Sequence, residues 1–219
     1  MKIHHLRNAT CVIETAKERI LIDPMLSGKG ELPPFSVIRF KPKRNPLVAL
    51  PPNANRILDG VTHCFITHSR TFGIKALQHT DHLDAKGEEF LSRRKIPVIT
   101  QNEDVAYLRK IGIRVEIGLE YWQSQPLSNG SIMAVPAQHG HGWNRHLMAN
   151  GAGFYIEIEG EPSIYCSGDT VYTEDVERLL EEYKPDISIV AAGSAQLDIG
   201  PPILMSLDEI ISFIRRAPG

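Results

Sequence analysis

The sequence predicts an α/β protein, and three observations support this. Short runs of β-branched and other apolar residues, typical of strands, recur along the whole chain of 219 residues. Amphipathic segments with helix-capping residues lie between those runs in both halves of the chain. No internal repeat and no linker-like stretch divides the sequence. We therefore expect one domain over residues 1–219, with helices packed against sheet.

The first half begins with a predicted hairpin. The runs TCVIET and RILID are rich in β-branched residues, and the short stretch AKE between them suits a turn. Three more strands are predicted, in THCFIT, IPVIT and IRVEI. Two helices are predicted, in DAKGEEFLSRRK with Asp84 as its N-cap and in NEDVAYLRKIG, which ends at glycine.

The second half repeats this alternation. Strands are predicted in SIMAVPAQ, GFYIEIE, SIYCSGD and DISIVAAG. Helices are predicted in TEDVERLLEEYK, with Thr170 as the expected cap, and in SLDEIISFIRR. Residues 24–56 differ from both halves, because they carry seven prolines and little periodicity. A loop of that length inside a compact domain is usually functional.

Composition and net charge are ordinary for a globular protein and indicate no particular partner. The apolar content is 42% and the formal net charge is −2, so the overall charge offers no argument for binding nucleic acid or an anionic membrane. The basic cluster in the proline-containing segment, Arg39, Lys41, Lys43 and Arg44, is interpreted as a solvated loop. Three scattered cysteines indicate a reducing compartment, and no signal peptide or membrane span is expected. We expect a cytoplasmic protein.

Candidate metal ligands stand at the ends of predicted strands. FITH ends at His68, AVPAQH ends at His139, and IYCSGD ends at Asp169. A rigid sheet can direct such side chains into one cleft, and imidazole with carboxylate suits zinc, manganese or iron. The tight cluster HTDH adds His79, Asp81 and His82, although a surface helix cap would give the same letters.

These motifs together resemble the metallo-β-lactamase superfamily. Within it, the sequence is similar to predicted metal-dependent hydrolases related to L-ascorbate-6-phosphate lactonase. The resemblance covers nearly the whole chain and includes LIDPMLS, RNPLVALP, ITH with HTDHLD, AQHGHG, SGDT and YKPDISIVAAGSAQ. It implies a four-layer αβ/βα sandwich, apparently without its last strand.

The resemblance also implies a ligand set. His68, His79 and His139 correspond to the ligands of a first metal ion, Asp81 and His82 to those of a second, and Asp169 to the carboxylate common to both. Asp81 would also act in catalysis, by orienting the nucleophile or accepting its proton. Asp23 resembles a position close to the metal, and His141 and Trp143 are candidates for substrate contact.

The chain departs from the family pattern in two places. Residues 69–78 separate His68 from His79, where one residue is usual; a rival alignment places Arg70 at the second ligand position, and we favour His79 because its Asp-His context is intact. In addition, no residue matches the histidine that normally follows the last helix. The chain is therefore expected to be C-terminally short, or to bind its second ion weakly.

The expected function is that of a metal-dependent hydrolase. A cation pair can lower the pKa of a shared water and give a hydroxide that attacks a small ester, lactone or phosphate ester. We expect one or two ions, with zinc first and manganese or iron as alternatives, and a small-molecule substrate without nucleic acid. Two other functions stay open: a phosphodiesterase of the phospholipase D type, and a non-catalytic binding protein on a degraded hydrolase scaffold.

Overall fold

The computed structural model describes residues 1–69, 80–142, 145 and 151–218. The chain divides into two compact units, Met1–Gly118 and Leu119–Gly219. Each unit contains one sheet and its own helices. The interpretation of residues 1–219 as a single domain stays a prediction. Within the described ranges, no helix combines the length and hydropathy that crossing a membrane requires.

The first unit is built on a six-stranded sheet in the order β1-β2-β3-β4-β5-β6. Its strands are β1 (Lys2–Arg7), β2 (Thr10–Glu14), β3 (Arg19–Ile22), β4 (His63–Ile66), β5 (Val98–Gln101) and β6 (Val115–Leu119). The predicted hairpin is confirmed, since β2 and β3 pair antiparallel. β3, β4 and β5 pair parallel, and β5 is buried at every position. Such continuous apolar strands are typical of a parallel sheet that is covered on both faces.

Among the described residues of this unit there are three helices: α1 (Ala54–Leu58), α2 (Ala85–Arg94) and α3 (Asn102–Lys110). Leu91 of α2 and Leu108 of α3 pack with Val98 and Cys64 of the sheet in one buried cluster. The N-cap prediction for α2 is confirmed, because the side chain of Asp84 accepts a hydrogen bond from the Gly87 amide.

The second unit is built on a five-stranded sheet in the order β11-β10-β9-β8-β7. Its elements are β7 (Ser124–Leu127), β8 (Gly130–Ala137), β9 (Gly151–Ile158), β10 (Ile164–Cys166), α4 (Glu174–Glu182), β11 (Ile187–Ile189) and α5 (Leu207–Arg216). Only β10 and β11 pair parallel among its adjacent strands. Met133 and Tyr165 of the sheet pack against Leu179 of α4 and Phe213 of α5 in a second buried cluster.

Some details differ from the prediction. Thr170 does not cap the helix that follows Asp169, because that helix begins three residues further on and Thr173 caps it by accepting from the Val176 amide. The long segment of residues 24–56 contains the start of the unpredicted helix α1. The short strand β7 also went unpredicted, since Pro126 lies inside it. An edge strand tolerates a proline because one side of its backbone needs no partner.

We expect Asp84→Ala to lower the free energy of unfolding by about 2–4 kcal/mol. The Asp84 carboxylate is fully buried and accepts from the amides of Gly87 and Ser27, both of which the substitution leaves without that partner. Urea unfolding measures the effect. Lys86→Ala in the same helix is the control, because its ion pair with Glu89 is exposed to solvent and should contribute much less to stability. Equal unfolding midpoints for the two variants would contradict the assignment.

Candidate metal centre

The carboxyl end of β4 carries the first candidate ligand. Cys64, Phe65 and Ile66 are completely buried between neighbouring strands. The polar residues that follow lie just beyond the carboxyl end of β4. His68 lies there with 1% of its surface exposed. Its ring lies beside that of His82, with centroids 3.9 Å apart and the ring planes tilted by 46°. Two of the predicted ligands are therefore neighbours within the first unit.

Asp23 connects these two histidines to the strands. Its carboxylate accepts from the Thr67 amide at 2.8 Å, from the Thr67 hydroxyl at 2.8 Å, and from Nδ1 of His82 at 2.8 Å. Burial raises the pKa of Asp23, while the His82 imidazole and the Thr67 hydrogen bonds act in the opposite direction. Asp23 thus contacts the candidate ligand His82 directly, and its place beside a metal ion stays a prediction.

The hydrogen-bond directions identify the tautomer of both rings. A carboxylate only accepts hydrogen bonds, so Nδ1 of His82 donates to Asp23. The Thr67 hydroxyl gives its proton to Asp23 and can then accept one from Nδ1 of His68, 3.2 Å away. In the neutral form of both rings Nε2 then carries the lone pair. Metal-binding histidines are held in the same way, with the other ring nitrogen donating to an oxygen.

Asp81 lies on the Nε2 side of His82. Its Oδ2 is 3.6 Å from that nitrogen, and about a quarter of its side chain is exposed. A carboxylate oxygen and an imidazole lone pair are both acceptors, so this approach is favourable when a cation lies between them. The pair matches the chemistry of a metal site, and the exposure of Asp81 would let a small molecule reach it.

Asp104 holds the chain immediately after His68. This buried carboxylate on α3 accepts from the Ser69 amide at 2.6 Å and from the Ser69 hydroxyl at 3.0 Å. The backbone at His68 is therefore fixed on both sides, by Asp23 through Thr67 and by Asp104 through Ser69. The candidate ligand His79 and its rival Arg70 lie outside the described residues.

The second unit contains a matching pair, His139 and Asp169. The loops after β8 and β10 are joined because the Gln138 amide donates to the Thr170 hydroxyl at 3.1 Å and the Val171 amide donates to the Gln138 carbonyl at 2.9 Å. This connection brings Nε2 of His139 to 3.5 Å from Oδ2 of Asp169. Two predicted ligands from separate loops are thereby neighbours.

The tautomer of His139 is determined as well. Its Nδ1 lies 2.9 Å from the carbonyl oxygen of Ile203, which can only accept, so Nδ1 donates and Nε2 carries the lone pair in the neutral ring. That lone pair faces the Asp169 carboxylate. His139 is 2% exposed and the Asp169 side chain 11% exposed, so little water is available to separate these two acceptors.

His141 lies in a different environment from His139. Its Nε2 is 2.8 Å from Oε1 of Glu209, which also forms the capping box at the start of α5. Burial opposes ionisation of Glu209, but hydrogen bonds from Ser206, His141 and the Tyr172 amide outweigh it and lower the pKa of that carboxyl. The role of His141 in substrate contact stays a prediction. Trp143 lies outside the described residues.

The residues present fit a divalent cation. In the first unit Nδ1 of His68 and of His82 faces an oxygen, and Asp81 lies beside Nε2 of His82. In the second unit Nδ1 of His139 faces an oxygen, and Asp169 lies beside its Nε2. Nitrogen and oxygen donors of this kind suit zinc, manganese or iron, and no cysteine takes part. Cys11, Cys64 and Cys166 are buried.

Sequence reasoning missed the groups that orient these ligands. They are Thr67, Asp104 and the Ile203 carbonyl. Thr67 stands next to His68 and could have been suspected. Asp104 was assigned only to the first turn of a helix, and a backbone carbonyl leaves no signal in a sequence.

Comparison with known proteins defines the class. The family model of the Beta-lactamase superfamily domain matches residues 18–219. The chain therefore belongs to the beta-lactamase superfamily, and the predicted metallo-β-lactamase fold is confirmed. The narrower resemblance to L-ascorbate-6-phosphate lactonase stays a prediction.

Individual relatives narrow the class to metal-dependent hydrolases. The chain is 31% identical to the UPF0173 protein YddR of Bacillus subtilis (strain 168), over 100% of this chain and 82% of that protein. It is 25% identical to a UPF0173 metal-dependent hydrolase of Ruegeria sp. (strain TM1040), over 88% of this chain and 74% of that protein. The prediction of a metal-dependent hydrolase is confirmed.

Two solved structures are similar over the whole chain. The isothiocyanate hydrolase from Delia radicum gut bacteria has a TM-score of 0.85 and 29% identity, and the match covers 100% of this chain and 82% of that one. A possible metal-dependent hydrolase from Veillonella parvula DSM 2008 has a TM-score of 0.83 and 28% identity, with coverage of 99% and 81%.

We expect Thr67→Val to weaken zinc affinity about 10- to 100-fold, because the hydroxyl orients both His68 and, through Asp23, His82. Competition against a chromogenic chelator measures the affinity. Thr100→Val on the neighbouring strand is the matched control, since it is equally buried and loses one hydrogen bond, to the Ile66 carbonyl. Equal zinc affinities for the two variants would refute the role of Thr67.

Proposed function

We propose that this protein uses the ligand set predicted from its sequence to hydrolyse a small ester, lactone or phosphate ester. The supporting observation is that a carboxylate oxygen lies close to a histidine Nε2 in two places. Asp81 lies beside Nε2 of His82, and Asp169 lies beside Nε2 of His139. Each pair is buried or half-buried, and each becomes favourable when a cation is added. Zinc is the proposed ion.

The proposed residue roles follow from these contacts. His68, His82 and His139 would supply Nε2 to the ion, which is supported by the hydrogen bonds of their Nδ1 atoms to oxygens. Asp169 supplies a carboxylate beside His139. When bound, the ion would lower the pKa of a water molecule and polarise the substrate.

Asp81 is the proposed proton acceptor. It is the more exposed of the two candidate carboxylates, with 26% of its side chain exposed against 11% for Asp169. A carboxylate that water and substrate both reach can hold and move a proton during attack on an ester. General-base assistance of this kind typically contributes 10²- to 10⁴-fold to the rate.

We expect hydrolysis to require both the ion and Asp81. Chelation should abolish turnover of a panel of p-nitrophenyl esters, lactones and phosphate esters, and added zinc should restore it. Asp81→Asn should lower kcat about 10²-fold or more. The control is Asp59→Asn, an exposed aspartate paired with Arg94 on the surface. Chelator-resistant turnover, or unchanged kcat in Asp81→Asn, would overturn the proposal.

We expect substitutions of His139 and His141 to have different effects on zinc content and on KM. His139→Ala should lose bound zinc and nearly all activity, because its buried Nε2 is a proposed ligand. His141→Ala should keep its zinc content and raise KM several-fold, because its half-exposed ring is a proposed substrate contact. Inductively coupled plasma mass spectrometry and steady-state kinetics measure both. Normal zinc content in His139→Ala would remove it from the ligand set, and an unchanged KM in His141→Ala would remove that residue from the substrate site.

Isothiocyanate is the second candidate substrate. The support is the 29% identity and TM-score of 0.85 to an isothiocyanate hydrolase over the full length of this chain. The central carbon of an isothiocyanate is electrophilic. Water could add to it while Asp81 accepts a water proton, and breakage of the C–N bond with protonation of the nitrogen would then release the amine and carbonyl sulfide. Loss of the isothiocyanate absorbance with appearance of the amine tests this candidate directly. Turnover of isothiocyanates alone would replace the ester-type proposal, whereas turnover of esters alone would exclude this candidate.

A further inference from the structure

One loop of the first unit exposes apolar and basic side chains together. This segment, residues 33–44, is called the basic loop. Val37, Ile38 and Phe40 are 57%, 80% and 51% exposed, and they alternate with the exposed cations Arg39 and Lys41. Lys43 and Arg44 complete the exposed run. The interpretation as a solvated loop accounts for the cations but leaves the apolar side chains in water without a reason.

Backbone contacts hold the base of the basic loop in place. Leu32 and Asn45 exchange both amide-to-carbonyl hydrogen bonds, at 2.7 and 3.0 Å. The Arg44 guanidinium donates to the carbonyls of Gly30 and Glu31, at 2.6 and 2.8 Å. The loop is thus closed by a small antiparallel bridge, and the residues between form its exposed part.

The buried side chain of Arg7 holds the chain on both sides of the basic loop by hydrogen bonds. Arg7 is 2% exposed, and its guanidinium donates to the carbonyls of Met25 and Ser27 before the loop and of Val48 after it. Both flanks are therefore tied to β1. The apolar side chains of the basic loop stay exposed although the chain on either side is anchored.

From residue 32 to residue 58 the charged side chains have one sign. Residues 32–58 contain no aspartate or glutamate, whereas they contain five cations: Arg39, Lys41, Lys43, Arg44 and Arg56. The chain as a whole has a formal charge of −2, so this positive segment is a local feature. A surface with cations and apolar side chains interleaved complements anionic headgroups above an acyl layer.

We propose that the basic loop docks the protein on an anionic lipid surface. Its cations would lie at the headgroups, and Ile38 and Phe40 would enter the acyl boundary. The exposed apolar side chains of the basic loop are the aliphatic Val37 and Ile38 and the aromatic Phe35 and Phe40, a mixture that suits an acyl layer, whereas sequence-tolerant binding of nucleic acid relies on aromatic stacking platforms. A symmetric contact between two copies would place like charges together. The inference does not depend on the proposed hydrolase activity.

Vesicle flotation tests the proposal with the whole chain. We expect binding to phosphatidylcholine vesicles that contain about 30% phosphatidylserine and little binding to phosphatidylcholine alone. Raising the salt concentration to about 0.5 M should release most of the protein, because screening shortens the range of the attraction.

Two variants separate the charged and apolar contributions. Replacing Arg39, Lys41 and Lys43 together by Gln should weaken binding about 100-fold, since each basic residue near an anionic surface contributes on the order of fivefold. Ile38→Ser with Phe40→Ser should weaken it about tenfold or more. The matched controls replace Lys86, Arg93 and Arg94 by Gln on α2, or Leu207 and Ile214 by Ser on α5, where the side chains are also exposed. Both controls should bind like the unmodified protein.

Several results would overturn the proposal. One is equal binding to anionic and neutral vesicles, and another is full binding by the two loop variants. A third is a change in sedimentation mass of the Ile38 and Phe40 variant with unchanged vesicle binding, which would assign the basic loop to contact between copies. Binding to RNA without binding to vesicles would assign it to nucleic acid. Circular dichroism confirms that each variant is folded before any comparison.

Discussion

The buried carboxylate of Asp23 is the contact on which the first unit's candidate site depends. Its backbone amide donates to the Phe65 carbonyl, and its own carbonyl accepts from the Thr10 hydroxyl, so its position is set by the sheet. Its side chain then orders Thr67 and His82. Burial raises the pKa of this carboxyl against the opposing effect of its donors. One residue thus couples the packing of the strands to the orientation of the imidazoles.

The second unit reaches the same chemical result by a different route. There a backbone carbonyl, that of Ile203, takes the Nδ1 proton of His139, where the first unit uses a carboxylate and a hydroxyl. In each unit an acceptor outside the ligand set selects the tautomer, and Nε2 faces a carboxylate oxygen. The common requirement is therefore electronic: an imidazole must keep one lone pair for the ion. Any oxygen at the right place can enforce it.

Sequence reasoning found the candidate ligands because ligand chemistry and strand ends both leave a local pattern. His68, His82 and Asp169 were predicted in this way from the motifs FITH, HTDH and SGD. The strands and helices were predicted from apolar periodicity. The orienting groups left no such pattern. Asp104 contacts Ser69 across 35 positions, and Ile203 contacts His139 across 64, so neither partner is apparent before the chain folds. The short elements α1 and β7 were not predicted because their local sequence is misleading. Prolines in or near them argue against a helix or a strand, while packing in the folded chain stabilises both elements.

The net charge of the chain does not describe the local charge of its surfaces. A formal charge of −2 removed the electrostatic argument for an anionic partner, yet it sums over acidic helices and an entirely non-acidic stretch of residues 32–58. Screening in salt limits each charge to neighbours within about 10 Å, so a surface responds to its local charge and not to the total. The exposed Ile38 and Phe40 add an apolar term that no charge count contains. Recognition by the basic loop and chemistry at the histidines can therefore be governed by separate parts of one small chain.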